Sequence, residues 1–171
     1  MKKRSRELVL MRHAKAEAQG PSDPERELAQ KGYVDAAEAG RWLADHDFTP
    51  DAALVSSARR ARTTWLGVAE GGSFDAEPRY SESLYVAGPE TALDLIRESE
   101  PDVTALVIVG HNPTVAYLAQ LLDDGTGDVA AGIEMATGFP TSALARFAVP
   151  GTWRELDLDS AQLVGFHVGR G

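Results

Sequence analysis

The sequence predicts an α/β fold, a three-layer α/β/α sandwich around a mostly parallel sheet. Strand and helix signals alternate along the chain, which is the pattern of a parallel sheet with helices on both faces. Two short runs, Leu8–Met11 and Ala105–Val109, are apolar without interruption, as strands buried on both faces require. At 171 residues the chain suits a single domain, 1–171, with a core of useful size. In chain order, Leu8–Met11 is the first strand, and the Gly20-Pro21 and Pro24 stretch after it reads as a surface loop. Residues 30–45 carry apolar positions Val34, Ala37, Trp42 and Leu43 at helical spacing. Residues 52–56 form the next strand and Ala58–Ala69 the next helix, which Gly71-Gly72 is expected to break. A short strand at 77–80 precedes a loop through Pro89 and a helix ending near Glu98. After the strand at 105–109, the turn Gly110-His111-Asn112-Pro113 leads into a helix ending near Leu122. Residues 123–138 are rich in Gly and Asp and read mostly as loop, and strands at 142–149 and 162–168 finish the chain.

Composition removes several function classes. Apolar residues make up 43% and charged residues 25%, as in an ordinary globular protein, and no apolar run approaches the roughly 20 residues that cross a bilayer. The basic start, Met1 to Glu7, is followed by only four apolar residues, too few for a secretory core. It reads as a solvated lead-in to the first strand. With no cysteine there is no disulfide, thiolate metal site or cysteine nucleophile, and a cytoplasmic location fits. A net charge of −9 opposes binding to nucleic acid, which depends on neutralising phosphates with Lys and Arg. Basic residues gathered in one place of such an acidic chain therefore carry information.

Three strand candidates end in such residues: the first in Arg12-His13, the second in Ser56-Ser57 with Arg59-Arg60 after it, the third in Gly110-His111. Ligands of open α/β sheets bind at the carboxyl ends of strands, so these ends can share one cleft. Two histidines with one or two arginines make an oxyanion site. A neutral imidazole attacks phosphorus if its other nitrogen donates a hydrogen bond, commonly to a backbone carbonyl. Arginines hold the non-bridging oxygens in planar forks, and guanidinium charges nearby keep the nucleophile unprotonated. Phosphoryl transfer is mostly positioning and electrostatics, so the site needs no metal of its own.

The motifs Leu10-Met11-Arg12-His13-Ala14, Ser56-Ser57-Ala58-Arg59-Arg60-Ala61-Arg62-Thr63-Thr64 and Gly110-His111-Asn112-Pro113, in this order and spacing, resemble the signature of the histidine phosphatase (phosphoglycerate mutase-like) superfamily. The resemblance implies that fold, His13 as phosphate acceptor, and Arg12, Arg60 and His111 around the bound phosphate. Arg60 is chosen over Arg59 because it stands immediately before Ala61 and four residues before Thr64, and Ser57 replaces a common proline. Arg-His-Ala-Lys-Ala at 12–16, the short chain without a lid insertion, and Phe139-Pro140-Thr141-Ser142-Ala143 resemble the SixA-like phosphohistidine phosphatases. This implies a phosphatase without cofactor or metal that acts on phosphohistidine in a protein and releases inorganic phosphate. A phosphatase for small phosphomonoesters, a mutase on a phosphorylated metabolite, and a non-catalytic module binding phosphate or phosphoprotein are the alternatives. Glu82 lies three residues before Tyr85, as the general-acid glutamate does in the mutase branch, and it divides ester from phosphohistidine substrates.

Other residues have plainer readings. Ser56 and Ser57 read as helix caps, Arg59 and Arg62 as solvated helix charges, and Lys15 as a loop lysine within reach of substrate. Asn112 either orients its turn or bonds near the pocket. His46 closes a helix, His167 in the last strand is a packing or surface residue, and Trp42, Trp65 and Trp153 belong to the core or its rim. The run Asp123–Asp128 lacks the closing glutamate of a calcium loop.

Overall fold

The computed structural model describes residues 5–171; residues Met1 to Arg4 of the expected basic lead-in lie outside the described residues. Among the described residues six strands form one sheet in the order β3-β2-β4-β1-β5-β6. They are β1 (Arg6–Arg12), β2 (Ala52–Ser56), β3 (Pro78–Ser81), β4 (Ala105–Gly110), β5 (Ala143–Val149) and β6 (Gln162–Val168). The first four in spatial order run parallel, while β5 is antiparallel to β1 and β6 to β5. β4 and β1 are the two central strands of the sheet, which is why Leu8–Met11 and Ala105–Val109 are apolar on both faces.

The alternation of β1 divides the interior in two. Val9 and Met11 pack with Leu43, Phe48, Trp65 and Val68 under α1 (Gln30–Asp45) and α2 (Arg59–Gly72). Leu8 and Leu10 pack with Leu93, Leu118, Met135 and Phe147 on the other face. That face carries α3 (Glu82–Tyr85), α4 (Pro89–Arg97), α5 (Thr114–Leu122) and α6 (Val129–Thr137). The layers are thus α/β/α, as the alternation predicts. Among the described residues no helix is long and apolar enough to cross a membrane.

Three local expectations are corrected. Residues 129–137 are helical, not loop: Asp128 caps α6 by accepting the Ala131 N–H at 2.8 Å, and Ala131 and Met135, four apart, face the core. Gly71-Gly72 does not break α2, which runs through Gly72 and ends at Ser73 in the left-handed region (φ 56°). Gly71 is there for packing, since a Cβ on it would stand 1.9 Å from the Ala37 carbonyl oxygen of α1. The expected loop before Pro89 contains α3, whose cap Ser81 accepts the Leu84 N–H at 3.0 Å. Trp65 and Trp153 are buried, and Trp42 is stacked between His46 and His167.

Candidate active site

Arg12 and Gly110 are partners in the β1–β4 ladder, so the chain leaves both strands at the same height. His13 continues the ladder by donating its N–H to the Gly110 carbonyl at 3.0 Å, and its own carbonyl accepts the Ser142 N–H at 3.1 Å. The backbone at His13 is thereby held from two sides. The Ala14 N–H donates to Thr64 Oγ1 at 2.9 Å, and that hydroxyl donates to the Arg60 carbonyl at 2.7 Å. The start of α2 is tied in this way to the residue after His13.

The side chains converge. His13 Nδ1 lies 2.7 Å from the Ala14 carbonyl oxygen. A carbonyl only accepts, so Nδ1 carries the hydrogen and Nε2 keeps its lone pair. The His13 and His111 rings are 5.2 Å apart between centroids. Arg60 reaches His111 Nδ1 with Nη2 at 3.4 Å, and Ser56 Oγ lies 2.7 Å from His111 Nε2. Arg12 sits beside His13 in the chain and donates Nη1 to the Phe139 carbonyl at 3.2 Å. Asn112 Nδ2 donates to the same carbonyl at 2.8 Å, and its Oδ1 accepts the Ala116 N–H. Asn112 therefore orients the turn, which includes a cis Asn112-Pro113 bond.

His13 and Arg60 are both buried, at 8% and 6% exposure. Burial pushes the His13 imidazole down to about 4, opposed by its bond to Ala14 and assisted by the charges of Arg60, Arg12 and Arg26. Burial likewise lowers His111 to about 3, with further lowering by His13, Arg60 and Arg12 and an opposing effect of Asp23. Burial, more than the guanidinium charge expected from the sequence, keeps the imidazoles unprotonated. Both rings are neutral at neutral pH.

Arg12, His13, Arg60 and His111 are thus gathered at the ends of β1 and β4 and the start of α2. Glu82 is not joined to them: it is exposed on α3, and no described residue shares a hydrogen bond or ion pair with its side chain. Lys15 is exposed, Arg59 pairs with Glu27 at 3.0 Å, and Arg62 lies over the Tyr80 ring. The capping role expected of Ser56 and Ser57 is corrected. Ala58 is the cap residue of α2 and no side chain caps it, while buried Ser56 holds His111 and accepts the Ala58 N–H at 3.2 Å. Asp23 and Tyr85 are contacts that sequence reasoning missed: Arg60 Nη2 donates to Asp23 Oδ2 at 3.1 Å, and the Tyr85 hydroxyl donates to the same oxygen. The Ser22-Asp23-Pro24 segment reads as an ordinary turn, and only the folded loop brings it here. No group of three or more His, Asp or Glu side chains among the described residues is arranged to hold a metal ion.

The model of the histidine phosphatase superfamily (branch 1) matches residues 8–85, which include two of the three motifs. A candidate phosphohistidine phosphatase SixA from Nakamurella multipartitia superposes with a TM-score of 0.85 at 29% identity, covering 96% of each chain. The chain belongs to the histidine phosphatase superfamily. A candidate SixA from Agrobacterium tumefaciens gives a TM-score of 0.77 at 29% identity over 95% of this chain and 97% of that one. An uncharacterized protein of Mycobacterium tuberculosis is 43% identical over 162 residues, 94% of this chain and all of that protein. The superfamily and the SixA-like architecture support a phosphatase.

Proposed function

We propose that the protein is a metal-independent phosphohistidine phosphatase in which His13 is the nucleophile. The observation that carries this reading is the commitment of His13 Nδ1–H to the Ala14 carbonyl, which leaves the Nε2 lone pair to attack. Nε2 forms a bond to phosphorus as the bond to the substrate imidazole breaks. The leaving imidazole takes the electron pair and departs neutral, because its other ring nitrogen already carries a proton. Water then attacks the phosphoryl group on Nε2, the P–N bond breaks, and inorganic phosphate leaves with His13 restored. Arg12 and Arg60 hold the non-bridging oxygens, and His111 sits where charge develops. The SixA-like resemblance supports a protein substrate, met in the cytoplasm.

A second reading, a phosphomonoesterase with Glu82 as general acid, draws on the position of α3 and not on a contact of Glu82 itself. α3, which begins with Glu82, sets the edge of Tyr85 against the His111 ring at 5.5 Å. Hydrolysis of p-nitrophenyl phosphate and of a phosphohistidine-bearing protein is measured for wild type, His13→Ala and Glu82→Gln. Loss of both activities in His13→Ala, with Glu82→Gln slowing the ester alone, is the expected result. A loss of about a hundredfold on the preferred substrate in Glu82→Gln makes the protein an esterase. Near-normal rates in His13→Ala would remove it as nucleophile, and a wild type inert on both substrates points to a binding module.

A further inference from the structure

The segment between β1 and α1 is a closed loop. At its base Ala16 bridges Leu28, Glu17 N–H donates to the Glu27 carbonyl at 2.8 Å, and Arg26 Nη1 donates to the Glu17 carbonyl at 3.0 Å. Its tip, 17–25, is exposed throughout, yet from there Asp23 reaches into the cluster. The Asp23 carbonyl accepts Arg60 Nη1 at 2.9 Å and its Oδ2 accepts Nη2 at 3.1 Å. Oδ2 also accepts the Tyr85 hydroxyl. Two donors from different helices, a guanidinium and a phenol, thus converge on one carboxylate oxygen, as they would on an oxygen of a bound phosphate.

The cover is on the accessible side. The Asp23 side chain is half-exposed, whereas that of Arg60 beneath it is 7% exposed. The Tyr85 hydroxyl bond, followed by Arg60, holds the Asp23 carboxyl down at about 2, so this occupant is an anion at any working pH.

We propose that Asp23 is a specificity-determining residue, an internal carboxylate that occupies Arg60 in the resting site and that the substrate phosphoryl group must displace, with Tyr85 as its catch. The inference rests on the reading of Arg60 as a phosphate ligand. A phosphoryl dianion and the Asp23 carboxylate repel one another across Arg60 Nη2, so the loop tip leaves as phosphate enters, pivoting on the closed base. A carboxylate offers one charge and two oxygens; a terminal phosphoryl group offers up to two charges and three oxygens. The exchange therefore favours terminal phosphoryl groups over diesters and carboxylates, which bring no more charge than the occupant they must replace.

Calorimetric titration of the full chain with sodium tungstate, an unreactive dianion, tests this with wild type, Asp23→Asn, Tyr85→Phe and Arg60→Ala. Asp23 lies on an exposed tip, so Asp23→Asn keeps the shape and the backbone contact while removing the charge. It is expected to bind tungstate about tenfold tighter, equivalent to about 1.4 kcal/mol, and Tyr85→Phe a few-fold tighter. Unchanged or weaker binding by Asp23→Asn overturns the proposal and makes Asp23 a brace for Arg60. If that result comes with weakened binding in Arg60→Ala, the phosphate pocket stands and only the displaceable occupant is lost. Arg60→Ala binding as tightly as wild type sinks both.

Discussion

Acid should destabilise this protein through its own candidate nucleophile. The His13 imidazole titrates at about 4 in the folded chain against an ordinary 6.5. Between those values the unfolded chain binds a proton that the folded chain refuses, so stability rises with pH across this window. Above about pH 6.5 neither state is protonated and nothing is lost; below about pH 4 the loss is complete. At about 1.4 kcal/mol per pH unit, the full loss is roughly 3 kcal/mol, a large share of the margin of a typical domain. His111, held at about 3, acts in the same direction, and the neighbouring rings titrate as a pair. Asp23 acts below this window, because its contribution is present above 3.8 and fades as pH falls toward about 2. The assay is urea unfolding of wild type and His13→Asn at about pH 7 and about pH 4.5. His111 feels the charge of His13, so the difference between the two pH responses reports His13 together with its coupling to His111. Wild type is expected to lose roughly 2–3 kcal/mol more than His13→Asn over that interval. Parallel responses would refute burial as what keeps this imidazole neutral.

Three further outcomes follow from particular contacts. Ser56→Ala strips partners from His111 Nε2 and the Ala58 N–H together; a loss of about 1–3 kcal/mol in urea unfolding with a lower kcat is expected, and an unchanged kcat would show that His111 needs no such anchor. Gly71→Ala places a Cβ 1.9 Å from the Ala37 carbonyl oxygen, so α1 and α2 must separate; thermal unfolding should register about 1–3 kcal/mol, and an unshifted Tm contradicts the close packing. Turnover should survive EDTA, and a loss restored by zinc or magnesium would overturn the metal-independent mechanism.

Much of the fold is legible in the sequence because the signal is local. β1 and β4 lie in the middle of the sheet, covered on both faces, and their runs Leu8–Met11 and Ala105–Val109 have no polar position to confuse the reading. The motif residues Arg12, His13, Arg60 and His111 sit at strand ends and a helix start that apolar patterning locates. The failures are tertiary. In α6, Val129 and Ile133 are apolar yet exposed, which blurs the helical stripe, and Gly132 with the flanking Gly and Asp residues completes the look of a loop. Ser56 reads as a cap from its position before a helix, whereas its hydroxyl meets a histidine 55 residues away. Nothing in Ser22-Asp23-Pro24 announces Arg60; the bridge between Ala16 and Leu28 delivers it.

The pairing of Arg12 with Gly110 has a consequence for how the site tolerates change. Residue pairs along parallel neighbours are indexed in whole steps of about 3.3 Å, so the separation of His13 from His111 is quantised by strand register. Slippage by one step would turn the alternating side chains of β1 to opposite faces of the sheet, and both interiors would lose their contacts at once. The two imidazoles are therefore gauged by the entire apolar content of β1 and β4, and substitutions that soften this interior without moving the register leave their spacing intact.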